Sequence, residues 1–235
     1  MPKTPVWKSI ATALTSEIAA GHYRPGDKLP TEAELSARFG VNRHTVRRAL
    51  QDMQERGLTH ARRGSGVFVM AEPTDYPIGK RVRFHQNLEA AGRMPAKRIL
   101  TLQTRPCDRD EAEALQLKPG DPVHVYEGLS LADNVAVAIF RSVFSADRFP
   151  DLLEDLDHMG SVTRALAAVG VKDYTRASTR LTAKTATATQ ALHLNISEGA
   201  PILRTVGINV DTDGCPVEYG HTWFVGDRIT LVVEG

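Results

Sequence analysis

The run Asn42-Arg43-His44-Thr45-Val46-Arg47-Arg48 crowds three arginines, an imidazole and two further polar side chains into seven positions. Arginine carries a planar fork of donors that fits two acceptors at once, either the O6 and N7 atoms of a guanine or two phosphate oxygens. A second basic group, Arg62-Arg63-Gly64-Ser65-Gly66, falls on a glycine-rich turn. Arginines at such a tip can follow a phosphate backbone or enter a minor groove. The chemistry offered by both groups is recognition of a polyanion.

Catalytic and metal-binding patterns are missing. Gly64-Ser65-Gly66 lacks the G-x-S-x-G spacing of a nucleophile elbow. There is no P-loop, no G-x-G-x-x-G after a strand and no H-E-x-x-H. His44, His60 and His85 are not at helical ligand spacing, and Cys107 and Cys215 have no close Cys or His partners. The expectation is therefore no metal, no cofactor and no enzyme. Two cysteines are too few for a disulfide scaffold. No apolar run reaches the ~18–20 residues of a membrane span. The first helix carries Lys8 and Glu17 inside its apolar pattern, unlike a signal peptide, so a cytoplasmic protein without a membrane partner is expected.

The elements that must hold these residues follow from periodicity. Val6, Ile10, Leu14 and Ile18 mark one apolar helix face, with Gly21 just beyond it. Thr31 and Glu34 have the capping-box spacing for a second helix, Glu32 to Phe39, which Gly40 ends. Asn42 can N-cap a third helix to about Arg56, with Val46, Leu50 and Met53 inward. Two short helices joined by Gly-Val-Asn make a helix-turn-helix, and Leu58 to Met70 read as strand, tight turn, strand.

The net charge of +1 hides a division. Residues 1–70 hold 11 Lys/Arg against 6 Asp/Glu, a surplus of +5, while residues 71–235 hold 18 against 22, or −4. A basic unit (1–70) is joined through a linker (71–79, rich in proline) to a larger acidic unit (80–235). In the larger unit strands are expected at 99–105, 123–131, 135–144, 175–183, 202–210, 216–225 and 229–233. Short helices are expected near 108–117, 152–156, 162–169 and 187–194. Asp133-Asn134 suits a two-residue hairpin turn. Antiparallel strands with interspersed helices indicate an α+β fold.

The run LPTEAELSARFGVNRHTVRRALQDMQERGLTHARRGSGVFV resembles the winged helix-turn-helix of the GntR family of bacterial transcription regulators. The matching parts are L-P-T-E-x-E-L, G-V-x-R-x-T-V-R-x-A-L and G-x-G-x-F-V. The resemblance implies a DNA-binding unit over about residues 5–70. Arg43, Thr45 and Arg47 would contact the operator, with Arg63 and Gly64 at the wing and His44 placed to read a base. Thr31, Asn42, Arg48 and Arg62 complete the expected surface. Many members carry an arginine where this chain has Ala33, so one contact is missing.

Residues 80–234 resemble the UTRA effector domain of the HutC branch, which shares the chorismate-lyase fold. The segments carrying this are PGDPVHVYEGLSLADNVAVAIFRSVF, the helix start at Ser161 and CPVEYGHTWFVGDRITLVVE. Within the branch, YPIGKRVRFHQNLEAAG is similar to regulators of phosphonate uptake and breakdown. The resemblance implies a homodimeric repressor binding a palindromic operator and sensing a small anion: a phosphonate, phosphate or phosphorylated metabolite. A sugar phosphate, a histidine-pathway acid and residual lyase chemistry remain alternatives. Sugar-phosphate sensors commonly carry arginines where this chain has Glu127 and Leu129. Replacement anion contacts are expected from Arg81, Arg83, Arg141, Arg180 and Arg204, with Ser161 and His85 beside them. Glu218, Tyr219 and Phe224 lie on a strand that borders the pocket in the family.

Overall fold

The computed structural model describes residues 5–62, 64–70 and 73–233. The chain divides into two compact units between Glu72 and Pro73.

In the first unit, α1 (Val6–Ala19), α2 (Glu32–Phe39) and α3 (Arg43–Glu55) precede the antiparallel pair β1 (Thr59–Arg62) and β2 (Gly66–Val69). Local chemistry fixes each boundary. Thr31 and Glu34 close a reciprocal capping box on α2, and Gly40 ends it at φ 64°. Glycine adopts that left-handed conformation more readily than any other residue, so the turn into α3 is set there. Asn42 caps α3 by accepting from the Thr45 N–H at 2.9 Å. Ile10 and Leu14 of α1, Leu35 of α2 and Val46, Ala49, Leu50 and Met53 of α3 form one buried core, which Val69 of β2 completes. Lys28 forms a single bridge to Phe68 beside the β1–β2 pair. This is a winged helix, as the periodicity predicts.

The second unit begins with β3 (Thr74–Pro77) and α4 (Phe84–Ala90), then β4 (Pro95–Pro106) and α5 (Arg109–Leu115). The hairpin β5 (Pro122–Ala132) and β6 (Val135–Ser145) follows, then α6 (Leu152–Met159) and α7 (Val162–Ala168). It closes with β7 (Tyr174–Thr185), α8 (Ala188–Leu194), β8 (Pro201–Asp211), β9 (Pro216–Val225) and β10 (Ile229–Val232). Six strands form one antiparallel sheet in the order β4-β5-β6-β9-β8-β7. The β5–β6 turn is Asp133-Asn134, both at positive φ. That is the two-residue turn whose twist matches a hairpin.

Strand alternation divides the sheet into two faces. Tyr126, Phe140 and Phe144 bury against α6 and α7 on one face. Val125, Val143 and Tyr219 meet α5 on the other, and Ile139 and Trp223 join the cluster of α8.

One boundary is corrected. Residues 74–77 are not linker: they form β3, paired in parallel with β10. Thr74 and Tyr76 are buried and Asp75 and Pro77 exposed, the period of a half-buried strand. Pro77 is tolerated because it ends this strand of a two-stranded pair, where few ladder donors are needed. Residues 71 and 72 lie outside the described residues.

Candidate functional site

In the first unit the N-terminal end of α3 is the chemically loaded surface. Arg43 and His44 are exposed there. Both lie close enough to Glu32 to help hold its carboxyl below the ordinary value, although the hydrogen bonds from Arg47 contribute most. Arg47 grips Glu32 with two bonds, Nε to Oε1 at 2.9 Å and Nη2 to Oε2 at 2.7 Å. Glu32 thus aligns the Arg47 fork across the α2–α3 corner. Thr45 Oγ donates to Asn42 Oδ1 at 2.9 Å, so those two side chains are bound up in the cap. Thr31 is likewise engaged by its own capping box. Arg48 differs from its neighbours: its guanidinium lies 4.8 Å from the Trp7 ring centre, which draws it towards α1. At the wing, Gly64 is exposed with φ 75°. The side chain of Arg62 and all of Arg63 lie outside the described residues.

The second unit holds a cavity of about 450 Å³ on the α4, α6 and α7 side of the sheet. Its walls include Arg83, Lys97, Arg164 and Arg176, against the carboxylates Glu89 and Glu218. Seven hydroxyl-bearing side chains of serine and threonine and the amide of Asn209 also face it. Arg83 is 8% exposed. Its guanidinium stacks on Tyr174, 3.5 Å from the ring centre, and Nη2 donates to the Tyr174 carbonyl at 2.7 Å. Arg83 Nη1 is buried with no partner among the described residues. Lys97 Nζ lies 3.6 Å from the Phe140 ring centre and 5.5 Å from those of Phe84 and Tyr126. Burial pushes this amine down to about 8, while Glu218 pulls the other way. His85 is lowered by burial first, and by the charges of Lys97 and Arg164. A cavity with more cations than carboxylates, rich in hydroxyls and holding an unsatisfied buried donor, has the chemistry to accept an anion.

Of the residues expected at such a pocket, Arg83, His85, Ser161, Glu218 and Phe224 line it. Five others do not. Arg81 is exposed and pairs with Asp173 at 2.5 Å, outside the lining. Arg141 lies on the opposite sheet face, donating to Glu111 Oε1 at 2.9 Å beside Arg105. Arg204 pairs with Trp223 and Thr182 on that same face, and Tyr219 packs in the cluster under α5. Arg180 is exposed opposite Val206 because a bulge between Arg176 and Ser178 reverses the alternation of β7. Without the bulge Arg176 and Arg180 would share a face; with it Arg176 enters the cavity. Glu127 and Leu129 also sit on the face away from the cavity, where Gly128 and Ser130 alternate with them. The difference from sugar-phosphate sensors at those two positions therefore removes no cavity contact.

The reassignment of Arg141 changes its expected phenotype. Arg141→Ala should leave any ligand response intact and lower stability by roughly 1.5 kcal/mol, the worth of a hydrogen bond to a charged group. Thermal unfolding and a ligand titration of the same variant check this. Loss of the response at unchanged stability would return Arg141 to the pocket.

Residues missed in the sequence are Lys97, Arg164, Arg176, Asn209 and the hydroxyls of Ser130, Ser142, Thr163, Thr179, Thr205 and Thr222. One signal was available. Glu218, Thr222 and Phe224 recur at even spacing on β9, which excludes Tyr219 from the face of Glu218.

Comparison with known proteins agrees with both units. Residues 7–69 match the model of bacterial regulatory proteins of the gntR family, and residues 90–230 match the UTRA domain. An uncharacterized HTH-type transcriptional regulator of Rhizobium meliloti is 37% identical over 97% of this chain and 94% of its own. A probable transcriptional regulator PhnF of Escherichia coli is 34% identical over the same shares. The crystal structure of PhnF from Mycobacterium smegmatis has the same fold, with a TM-score of 0.68 and 24% identity over 96% of this chain and 98% of that one. These families and relatives are transcription regulators, not enzymes; GntR regulators bind DNA, and UTRA domains bind small-molecule effectors. No helix among the described residues is long and apolar enough to cross a membrane. This chain belongs to the GntR family of bacterial transcription regulators, in the HutC-type arrangement of a helix-turn-helix followed by a UTRA domain.

Proposed function

We propose that this chain is a ligand-responsive cytoplasmic repressor of an operon for phosphonate or phosphorus metabolism. It binds a palindromic operator as a homodimer, and a small anionic effector changes its affinity for that operator. The observation that carries this reading is the buried, unpartnered Nη1 of Arg83 in a cavity with a surplus of cationic side chains. The likeness to the probable transcriptional regulator PhnF supports the phosphonate class.

Arg43, His44, Thr45 and Arg47 meet the major groove, and Arg62, Arg63 and Gly64 of the wing meet the backbone, with Thr31, Asn42 and Arg48 at the margin. Two copies related by a two-fold axis would read half-sites about one helical turn apart. The effector acts only to the extent that it binds the operator-competent and operator-free states with different affinity.

Gel shifts with the gene's own upstream DNA test the reading. The expected result is a specific complex on a palindromic site that weakens steeply with salt. A complex indifferent to sequence and salt overturns it. Release by a sugar phosphate or urocanate, with phosphonates inert, would retain the regulator and replace the effector class.

A further inference from the structure

A line of buried hydrogen bonds crosses the cavity floor and ends on an arginine. Ser142 Oγ donates to Glu218 Oε1 at 2.5 Å, and Asn209 Nδ2 donates to Glu218 Oε2 at 2.5 Å. Both carboxylate oxygens are thereby engaged, and the Asn209 amide is fixed in one of its two orientations, because its oxygen would repel the carboxylate if flipped. Its Oδ1 is left to accept from Arg176 Nε at 2.8 Å. Ser142, Asn209 and Glu218 are all buried.

The glycine beneath Arg176 is part of the same arrangement. A Cβ at Gly207 would overlap Arg176 Nη1 and come within 2.6 Å of its Cζ. The guanidinium therefore occupies the space that a side chain at Gly207 would fill. Nη1 reaches Thr179 Oγ only at 3.5 Å, and Nη2 donates to no described residue. Arg83 presents its own unpartnered Nη1 in the same cavity. The two arginines are neighbours around Tyr174: the ring carries Arg83 on its face, and both charges act on its phenol.

We propose that Arg83 and Arg176 form a clamp for one tetrahedral oxyanion, a phosphonate or phosphate monoester group. In this arrangement Ser142, Glu218 and Asn209 are positioning residues for Arg176, and Gly207 is the position that admits its guanidinium. This rests on the reading of the cavity as the effector site. Two forks offer more donors than the two oxygens of a carboxylate can accept. A phosphonate or phosphate head has three terminal oxygens, and Thr179 lies beside them on the same wall.

Gly207→Ala is the informative variant. Its backbone is not in the left-handed region, and the three atoms nearest to a Cβ there all belong to the movable end of Arg176. The variant should fold, with the guanidinium displaced. Calorimetry on the full chain compares inorganic phosphate, methylphosphonate and acetate. The wild type is expected to bind at least one of the two tetrahedral probes at least tenfold more tightly than acetate; which one it prefers separates the two sources. Gly207→Ala should lose at least tenfold for that probe with its Tm near the wild-type value. Glu218→Gln should narrow the preference over acetate, a ratio that a purely structural role for Glu218 would leave alone. Equal affinity for acetate, no binding of either tetrahedral probe, or undiminished binding by Gly207→Ala overturns the clamp. Because the calorimetry contains no DNA, it stands apart from the operator assay. A regulator that releases its operator to some other compound while the clamp fails would keep the proposed function and lose this inference.

Discussion

Arg83→Met should abolish the effector response while leaving operator affinity within about twofold. Arg83 is 8% exposed, stacked on Tyr174 and tied to its carbonyl. Methionine keeps an unbranched apolar side chain over the ring but removes every donor, including those to the Tyr174 carbonyl and to Asp173 at 3.3 Å, so anion recognition is lost and stability falls while the stacking is kept. Truncating one side of a desolvated charge–charge contact costs about 2–5 kcal/mol, much of it from the partner left unpaired. On that scale the effector dissociation constant rises at least about 30-fold. Calorimetry for the effector and fluorescence anisotropy for the operator, run on one preparation, check both halves. A variant that still responds at the wild-type effector concentration would place the anion elsewhere in the chain.

Arg47→Ala is expected to weaken operator binding by about 5- to 150-fold, the range for loss of a bidentate base contact. The Arg47–Glu32 pair does not argue against this. Its arginine is 61% exposed, and ion pairs so open to water and salt contribute little. The pair orients the fork and can yield to, or share it with, DNA. The salt dependence separates two roles. A base-reading Arg47 loses discrimination between operator and mutated operator, whereas a phosphate contact loses affinity on both and lowers the salt slope by about one. Unchanged affinity on both would show that Arg47 only solvates the surface. The competing basic side chain is Arg48, whose stacking on Trp7 turns it towards α1. Arg48→Ala should therefore have the smaller effect.

The two units differed in how much of them could be read from the residues. In the winged helix each boundary is a local event: Thr31 with Glu34, Gly40 at φ 64°, Asn42 accepting from Thr45. Local hydrogen bonds are written in short spacings, so these elements could be predicted from the sequence. The Asp133-Asn134 turn was legible for the same reason.

The cavity depends on long-range register. A bulge after Arg176 places Arg176, not Arg180, on the cavity face, and nothing in TRASTRLTA announces it. Gly207, directly across from Thr179 and under Arg176, is the one local hint, since a glycine inside a strand often marks close approach of another group. Arg141 is a free cation in the sequence, but in the fold the buried Glu111 on α5 takes it up. Lys97 gives no signal in the sequence, because a single lysine in a polar stretch reads as solvated. Only the fold gathers Phe84, Tyr126 and Phe140 around its amine. YPIG carries turn residues and so suggests a linker, while the partner strand that makes 74–77 extended lies at the far end of the chain.

If the cavity is the effector site, an anion bound there and an operator on the helix-turn-helix are thermodynamically linked. Linkage is reciprocal for binding free energies, so one titration measures it. The full-length wild type and Gly207→Ala are titrated onto labelled operator DNA at fixed salt, with and without saturating methylphosphonate. The operator dissociation constant of the wild type should rise by about 5- to 150-fold in the presence of methylphosphonate, the usual span of allosteric coupling. Gly207→Ala should need at least tenfold more ligand for the same release. An operator affinity that stays constant while calorimetry shows the cavity filled would contradict the linkage.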